Sequence, residues 1–272
     1  WFGAQYAGLL DLGIAGIWND MNEPSIISTR GEFPPDHVRH ELDGLGGDHR
    51  AAHNVYGMQM ARATCEGLRR LRPDRRPFVI TRSAFAGIQR YTLGWTADNE
   101  STWESLAITI PMLLNLGLSG LAFIGPDTGG FDGDCSGELL VRWNQLGLFT
   151  PLFRNHASLP TVDQEPWAFG EPYTSINRRT IERRYEFLPA IYTAAWQTSL
   201  TGRPMMRPLF MDWQDDERLA STQDQFMWGD HLLIAPILEP AQTEREVYLP
   251  AETWYDWWTD ERLAGGRLAH AH

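Results

Sequence analysis

Five short apolar runs in this chain each stop at a charged or polar side chain, and all stop at the same end. Residues 13–19 run into Asp20 and, three positions on, Glu23; 78–81 run into Arg82; 91–96 into Asp98; 121–124 into Asp127; and 152–154 into Asn155 and His156. Runs this short, with glycine beside the first, fit strands buried on both faces, as parallel sheets produce. Helical stretches expected at 53–71, 103–116, 138–149 and 175–200 alternate with them, which is the rhythm of β/α units. In such sheets the residues that follow each strand line the reaction site. The first run also admits a plainer reading, in which Asp20 merely opens a capped turn before Pro24 and Ser25. The polar segment 25–50 is long enough to form a site wall.

Charge narrows the choice of partner. Lys and Arg number 23 against 35 Asp and Glu, a net charge of −12, which argues against nucleic acid or an anionic membrane surface and fits a neutral polar substrate. No apolar stretch reaches the roughly 20 residues of a bilayer span. Two cysteines, Cys65 and Cys135, make a disulfide framework unexpected and favour a reducing compartment such as the cytoplasm. After Arg203 the pattern changes to short alternating segments at 205–211, 226–238, 246–249 and 254–258, a small β-rich domain. The expected division is therefore an α/β region over 1–203 and a β-rich one over 204–272.

The strand ends supply two uncompensated carboxylates, an arginine and a histidine, with Trp18, Trp95 and Phe131 nearby in sequence. That set suits glycoside hydrolysis, which needs an acid for the leaving oxygen and a carboxylate for the oxocarbenium carbon. Aromatic faces pack on sugar C–H groups while charged side chains bond the hydroxyls. A phosphate-binding loop is absent: 129–133 lacks the lysine of a P-loop and is acidic. His37, His40, His49 and His53 read as solvated loop histidines, and Asp127, Asp132 and Asp134 lack the alternation of a calcium loop, so no metal is expected. Trp254, Trp257 and Trp258 read as sheet core, and Arg178, Arg179, Arg183 and Arg184 with Glu182 and Glu186 as a solvated helix face.

Six segments in order, namely Trp18-Asn19-Asp20-Met21-Asn22-Glu23-Pro24, Thr81-Arg82-Ser83, Gly87-Ile88-Gln89-Arg90-Tyr91, Trp95-Thr96-Ala97-Asp98-Asn99, Gly125-Pro126-Asp127-Thr128-Gly129-Gly130-Phe131 and Arg154-Asn155-His156, together resemble the retaining α-glucosidases of glycoside hydrolase family 31. The resemblance implies a partial (β/α)8 TIM-type barrel, about five of its eight strands, over 1–203, and the start of a C-terminal β-sandwich over 204–272. It implies Asp20 as nucleophile and Asp98 as acid/base. It implies Trp18, Met21, Arg82, Trp95, Asp127, Phe131 and His156 as residues that bind the glucose unit of an α-glucoside oligosaccharide. Glu23 is then a supporting, loop-shaping residue, since it lies only three positions from Asp20. No cofactor is implied. The Asp-Met-Asn-Glu form favours glucose over xylose.

Two positions depart from the family pattern, Ala97 where glycine is usual and Thr128 where isoleucine is usual; both bear on subsite shape and not on the reaction. A transglucosylase or an α-glucan lyase would use the same site, and a non-catalytic sugar-binding chain is the reading from another class. Five strands against the eight of a closed barrel lead us to expect the others in a missing N-terminal part of the same chain, before Trp1. The 272 residues alone are then expected to be poorly soluble or inactive.

Overall fold

Residue pattern and backbone agree first in the sheet that carries the first carboxylate. The computed structural model describes residues 1–25 and 36–271, so ten residues of the expected 25–50 wall lie outside the described residues. The described chain divides into two units: residues 1–97 with 119–124, and residues 98–118 with 125–272.

In the first unit the strands Ile17–Asn19, Val79–Thr81 and Leu93–Trp95 lie side by side in that order, with Ile124–Gly125 following in the sheet. Trp18 pairs with Ile80 and Ile80 with Leu93, both in parallel register. The helix His49–Leu71 returns the chain from the first strand to the second. Its Cys65 and Leu68 pack with Leu10, Ile17 and Val79, and Tyr6, Leu71 and Tyr91 close the edges of this core. The helix passes its own backbone against the N-terminal turn at Gly67, where a Cβ would sit 2.4 Å from the Cα of Gly3. That contact accepts no side chain on either partner.

Two expectations change here. The first strand is not buried on both faces: Ile17 and Asn19 are enclosed but Trp18 is 42% exposed, as the twofold alternation of strand side chains allows. The helix begins four residues earlier than its apolar periodicity indicates, because the Asp48 side chain accepts from the Arg50 N–H at 3.0 Å and caps it. The histidines are accordingly not solvated loop residues as a group. His37 is exposed, but His49 is 1% exposed, and its ring nitrogens face His40 Nε2 at 3.0 Å and His53 Nδ1 at 3.2 Å. Because His49 uses its two nitrogens in different directions, the three rings do not converge on one point as metal ligands must; among the described residues no cluster suited to a metal ion occurs.

The second unit begins at Asp98 and carries the helices Trp103–Leu118 and Gly137–Gly147 and a short parallel pair, Asp127–Thr128 with Arg154–Asn155. The single helix expected over 175–200 is two, Tyr173–Glu186 and Leu188–Thr201. Pro189 explains the break, since it lacks an N–H for the helical ladder and its ring crowds the carbonyl one turn back. The arginines on the first of these helices are not all solvated. Arg184 turns inward and donates to the carbonyls of Leu148 at 2.6 Å and Thr150 at 2.8 Å, and burial pushes its guanidinium down to about 10.

The C-terminal part is β-rich. Phe226–Trp228 pairs antiparallel with Leu232–Ile234 and with Met206–Arg207, Arg245–Leu249 pairs with Arg267–Ala271, and Thr253–Tyr255 with Arg262–Ala264. Leu209, Leu219, Met227 and Tyr248 form its core, with Trp213 and Trp254 packed against them. Only Trp254 of the three late tryptophans is a core residue. Trp257 and Trp258 are exposed, because the Asp256 side chain accepts from the N–H groups of Trp258 and Thr259 and bends the chain into a turn that carries both rings outward. Parallel β/α units followed by a β-rich end are what a partial barrel and its C-terminal neighbour require. Among the described residues no helix is long and apolar enough to cross a membrane.

Candidate active site

The first unit gathers five of the expected site residues and Glu23 around one strand end. Asp20 follows the Ile17–Asn19 strand directly, and its side chain is 37% exposed. Its Oδ1 accepts from the Met21 N–H at 2.7 Å and lies 3.4 Å from Arg82 Nη1. Met21 holds a left-handed backbone, φ +56°, which is uncommon for a residue with a side chain and here turns the chain just past the carboxylate. Arg82 is clasped by Glu23, its Nε donating to Oε1 at 2.9 Å and its Nη2 to Oε2 at 2.8 Å. This two-pronged pair holds the Glu23 carboxyl below the usual range, with the Arg82 hydrogen bond as the main cause. Glu23 therefore fixes the guanidinium and leaves its remaining nitrogen toward Asp20.

Asn22 is the residue here that sequence reasoning passed over. It is fully buried, its Nδ2 donating to Thr81 Oγ1 at 2.8 Å and its Oδ1 accepting from the Ser83 N–H at 3.0 Å. With the Arg82 N–H donating to the Asn19 carbonyl at 3.1 Å, these bonds tie the turn after the first strand to the turn after the second. The ring of Trp18 meets that of Trp95 edge to face at a centroid distance of 5.4 Å, and Trp95 is 3% exposed. Asp20, Trp18, Met21, Arg82 and Trp95 thus form one constellation.

The second unit gathers Asp98, Asp127, Phe131 and His156. Asp98 opens it, and the next residue, Asn99, organises the strand end. The Asn99 Nδ2 donates to the Asp127 carbonyl at 3.0 Å, and the Asn99 carbonyl accepts from the N–H groups of Phe131 at 2.7 Å and Asp132 at 3.0 Å. The turn between them needs Gly130: its φ is +89°, and a Cβ would lie 2.4 Å from the Cα of Ser101. Asp127 has no exposed side-chain surface and is ion-paired with Arg154. The Phe131 and His156 rings stack at 5.2 Å with an interplanar angle of 28°. Gln164, also passed over, is buried behind them, and its Nε2 donates to the Gly130 carbonyl at 3.0 Å. Neither amide residue carries a chemical signature; only its place, inside one motif and eight residues after another, hints at it.

Residues 1–194 match the glycosyl hydrolases family 31 TIM-barrel domain, and residues 202–272 match the glycosyl hydrolase family 31 C-terminal domain. The chain belongs to glycosyl hydrolase family 31. It is 49% identical over 267 residues to alpha-glucosidase 2 of Bacillus thermoamyloliquefaciens, covering 98% of this chain and 34% of that protein. Neutral alpha-glucosidase C of Mus musculus is 44% identical over 266 residues, covering 96% of this chain and 29% of its own. In structure it is similar to the family 31 dextranase of Flavobacterium johnsoniae complexed with glucose, with a TM-score of 0.91 and 34% identity over all of this chain and 34% of that one. A family 31 alpha-xylosidase from a soil metagenome, complexed with xylose, gives 0.88 at 31% identity over 97% of this chain and 42% of that one. The chain spans about a third of the length of the curated relatives it matches.

Proposed function

We propose that this chain supplies the nucleophile and the acid/base of a retaining α-glucosidase that removes terminal non-reducing α-linked glucose from oligosaccharides. Asp20 attacks the anomeric carbon as the bond to the leaving sugar oxygen breaks, and Asp98 gives that oxygen its proton. The product of this step is a glucosyl ester on Asp20. Asp98, now a carboxylate, takes a proton from water, whose oxygen attacks the same carbon and displaces Asp20, so glucose leaves with its configuration retained. Arg82 and His156 are assigned to the glucose hydroxyls, Trp18, Met21, Trp95 and Phe131 to the walls, and the Asp127–Arg154 pair to the same subsite. The observation that supports this reading most directly is the setting of Asp20: a carboxylate at a parallel strand end, between a backbone N–H and an arginine already fixed by Glu23.

The test uses the full-length protein. A fluorinated α-glucosyl fluoride, whose glycosyl ester forms faster than it hydrolyses, should add one sugar to the peptide that carries Asp20 and none to Asp20→Asn. Asp98→Ala should lower kcat by about 10²–10⁴ on a natural disaccharide and much less on a substrate with an activated leaving group. Labelling on another carboxylate would overturn the assignment. With maltose the expected product is free glucose. A longer oligosaccharide would turn the reading to a transglucosylase and an unsaturated sugar to a lyase, while sugar binding without turnover would favour a non-catalytic chain.

A further inference from the structure

We infer that Gln164 is a positioning residue for the Phe131–His156 ring pair, and through it for recognition of the glucose unit; this rests on the assignment of His156 to that unit. Asp127–Thr128 and Arg154–Asn155 pair in parallel over two residues only, and Gly129 and Gly130 then turn away with φ +101° and +89°. The next backbone bond on this side joins the Ser158 N–H to the Phe131 carbonyl at 2.8 Å. The two stacked rings stand in the interval, where no strand pairing fixes them.

Gln164 fills that interval. It is 4% exposed, and its Nε2 donates to the Gly130 carbonyl at 3.0 Å and the His156 carbonyl at 3.1 Å, with Asn155 Oδ1 at 3.3 Å. Asn155 reciprocates, its Nδ2 donating to the Gln164 carbonyl at 2.6 Å. All three groups around Nε2 are acceptors, so a donor is required here and the orientation of the amide is fixed; its two hydrogens serve the two carbonyls, with the Asn155 Oδ1 contact, the longest, sharing one of them. The chain has closed onto it: a Cβ on Gly129 would lie 2.8 Å from Nε2. One bond from this nitrogen holds the residue before Phe131 and the other holds His156 itself. Together with the Asn99 and Ser158 bonds that hold Phe131 itself, the amide ties the segment of one ring to the segment of the other.

Gln164→Glu keeps the shape but faces three acceptors with an oxygen, and Gln164→Met keeps the length and removes the donor without adding charge. In the full-length protein both should raise KM for an aryl α-glucoside and the dissociation constant for glucose by roughly tenfold, with kcat changed far less. His156→Ala should weaken glucose binding at least as much, and adding Gln164→Met to it should weaken it by much less than the tenfold of the single variant. Gln164→Met that lowers the melting temperature but leaves KM and glucose binding unchanged would overturn the proposal, as would additive losses in the double variant. If His156→Ala alone leaves glucose binding unchanged, the assignment of His156 fails, and the positioning role with it. The single and double variants thus separate the two failures.

Discussion

Each unit places an arginine–carboxylate pair among its candidate site residues, and the pairs are built differently. The Glu23–Arg82 pair in the first unit is two-pronged but half open: the Glu23 side chain is 36% exposed against 13% for Arg82. The Asp127–Arg154 pair in the second unit is closed on the carboxylate side, at 0% for Asp127 and 20% for Arg154. Around the first, side chains carry the order, with Asn22 tying two turns together. Around the second, side-chain amides and backbone share it, through Gln164, the Asn99 carbonyl and a glycine that tolerates no Cβ. A carboxylate open to water gains little from its pair, because water competes for the ion, whereas one with no exposed surface depends on its partner to stay charged. The first arrangement is thus adjustable near Asp20, and the second is rigid.

The two pairs should respond differently to loss of the carboxylate charge. Asp127→Asn takes the charge from a carboxylate with no exposed surface that is ion-paired with Arg154, and should destabilise the fold by about 1–3 kcal/mol, read as a lower denaturant midpoint with unchanged slope. The matching change in the first unit, Glu23→Gln, should cost about 1 kcal/mol or less, because the pair is open to water. Its effect should fall instead on catalysis, since Arg82 loses the clasp that turns it toward Asp20. Equal stability losses for the two variants would show that the pairs are not different in kind.

Acid should separate two groups within the first unit, His49 and Glu23. Burial among the His40 and His53 rings holds His49 below the ordinary histidine range. The unfolded chain therefore binds a proton near pH 6.5 that the folded chain refuses, so the stability this histidine contributes is present above about 6.5 and falls as pH drops below it. The Glu23 carboxyl, held low by Arg82, loses its contribution only in more acid solution, as pH falls through the carboxylate range. Melting curves between pH 7.5 and 5.5 should decline, and His49→Phe should flatten the decline while leaving the loss in more acid solution in place. An unchanged profile in that variant would remove His49 as the cause.

What the sequence made legible was the placement of charged side chains at strand ends. Asp20, Arg82, Asp98, Asp127 and His156 are residue types that a buried strand does not end on without reason, and all five follow short apolar runs. The same reading misplaced features that depend on distant partners. His49 looks like its loop neighbours until the Asp48 cap draws it into a helix, and Arg184 differs from Arg183 only because carbonyls of another segment wait for it. Trp257 and Trp258 share the composition of a core strand, but the Asp256 turn that exposes them is a matter of local backbone. Asn22 and Gln164 were invisible for a different reason: a neutral amide announces nothing in sequence, and its worth lies wholly in which carbonyls it meets.

The smallest expected effect lies at the start of the acid/base segment. Ala97, which takes the place usually held by glycine in the family pattern, has φ +61°, in the left-handed region where a Cβ crowds the following carbonyl. Alanine is strained there by about 1–2 kcal/mol, while glycine would be free of that strain but loses about 0.5–1 kcal/mol more in chain entropy on folding. The two terms oppose each other, so Ala97→Gly should change stability by a few tenths to about 1 kcal/mol in the favourable direction, the reverse of its usual sign in a folded chain. Since Ala97 directly precedes Asp98, the same variant is a sensitive probe of how stiffly the acid/base is held. Strain that contributes to its placement predicts a gain in melting temperature with a loss of kcat on unactivated substrates; a gain in both would show that the alanine is an uncompensated departure, and a drop in melting temperature would contradict the strained backbone at this position.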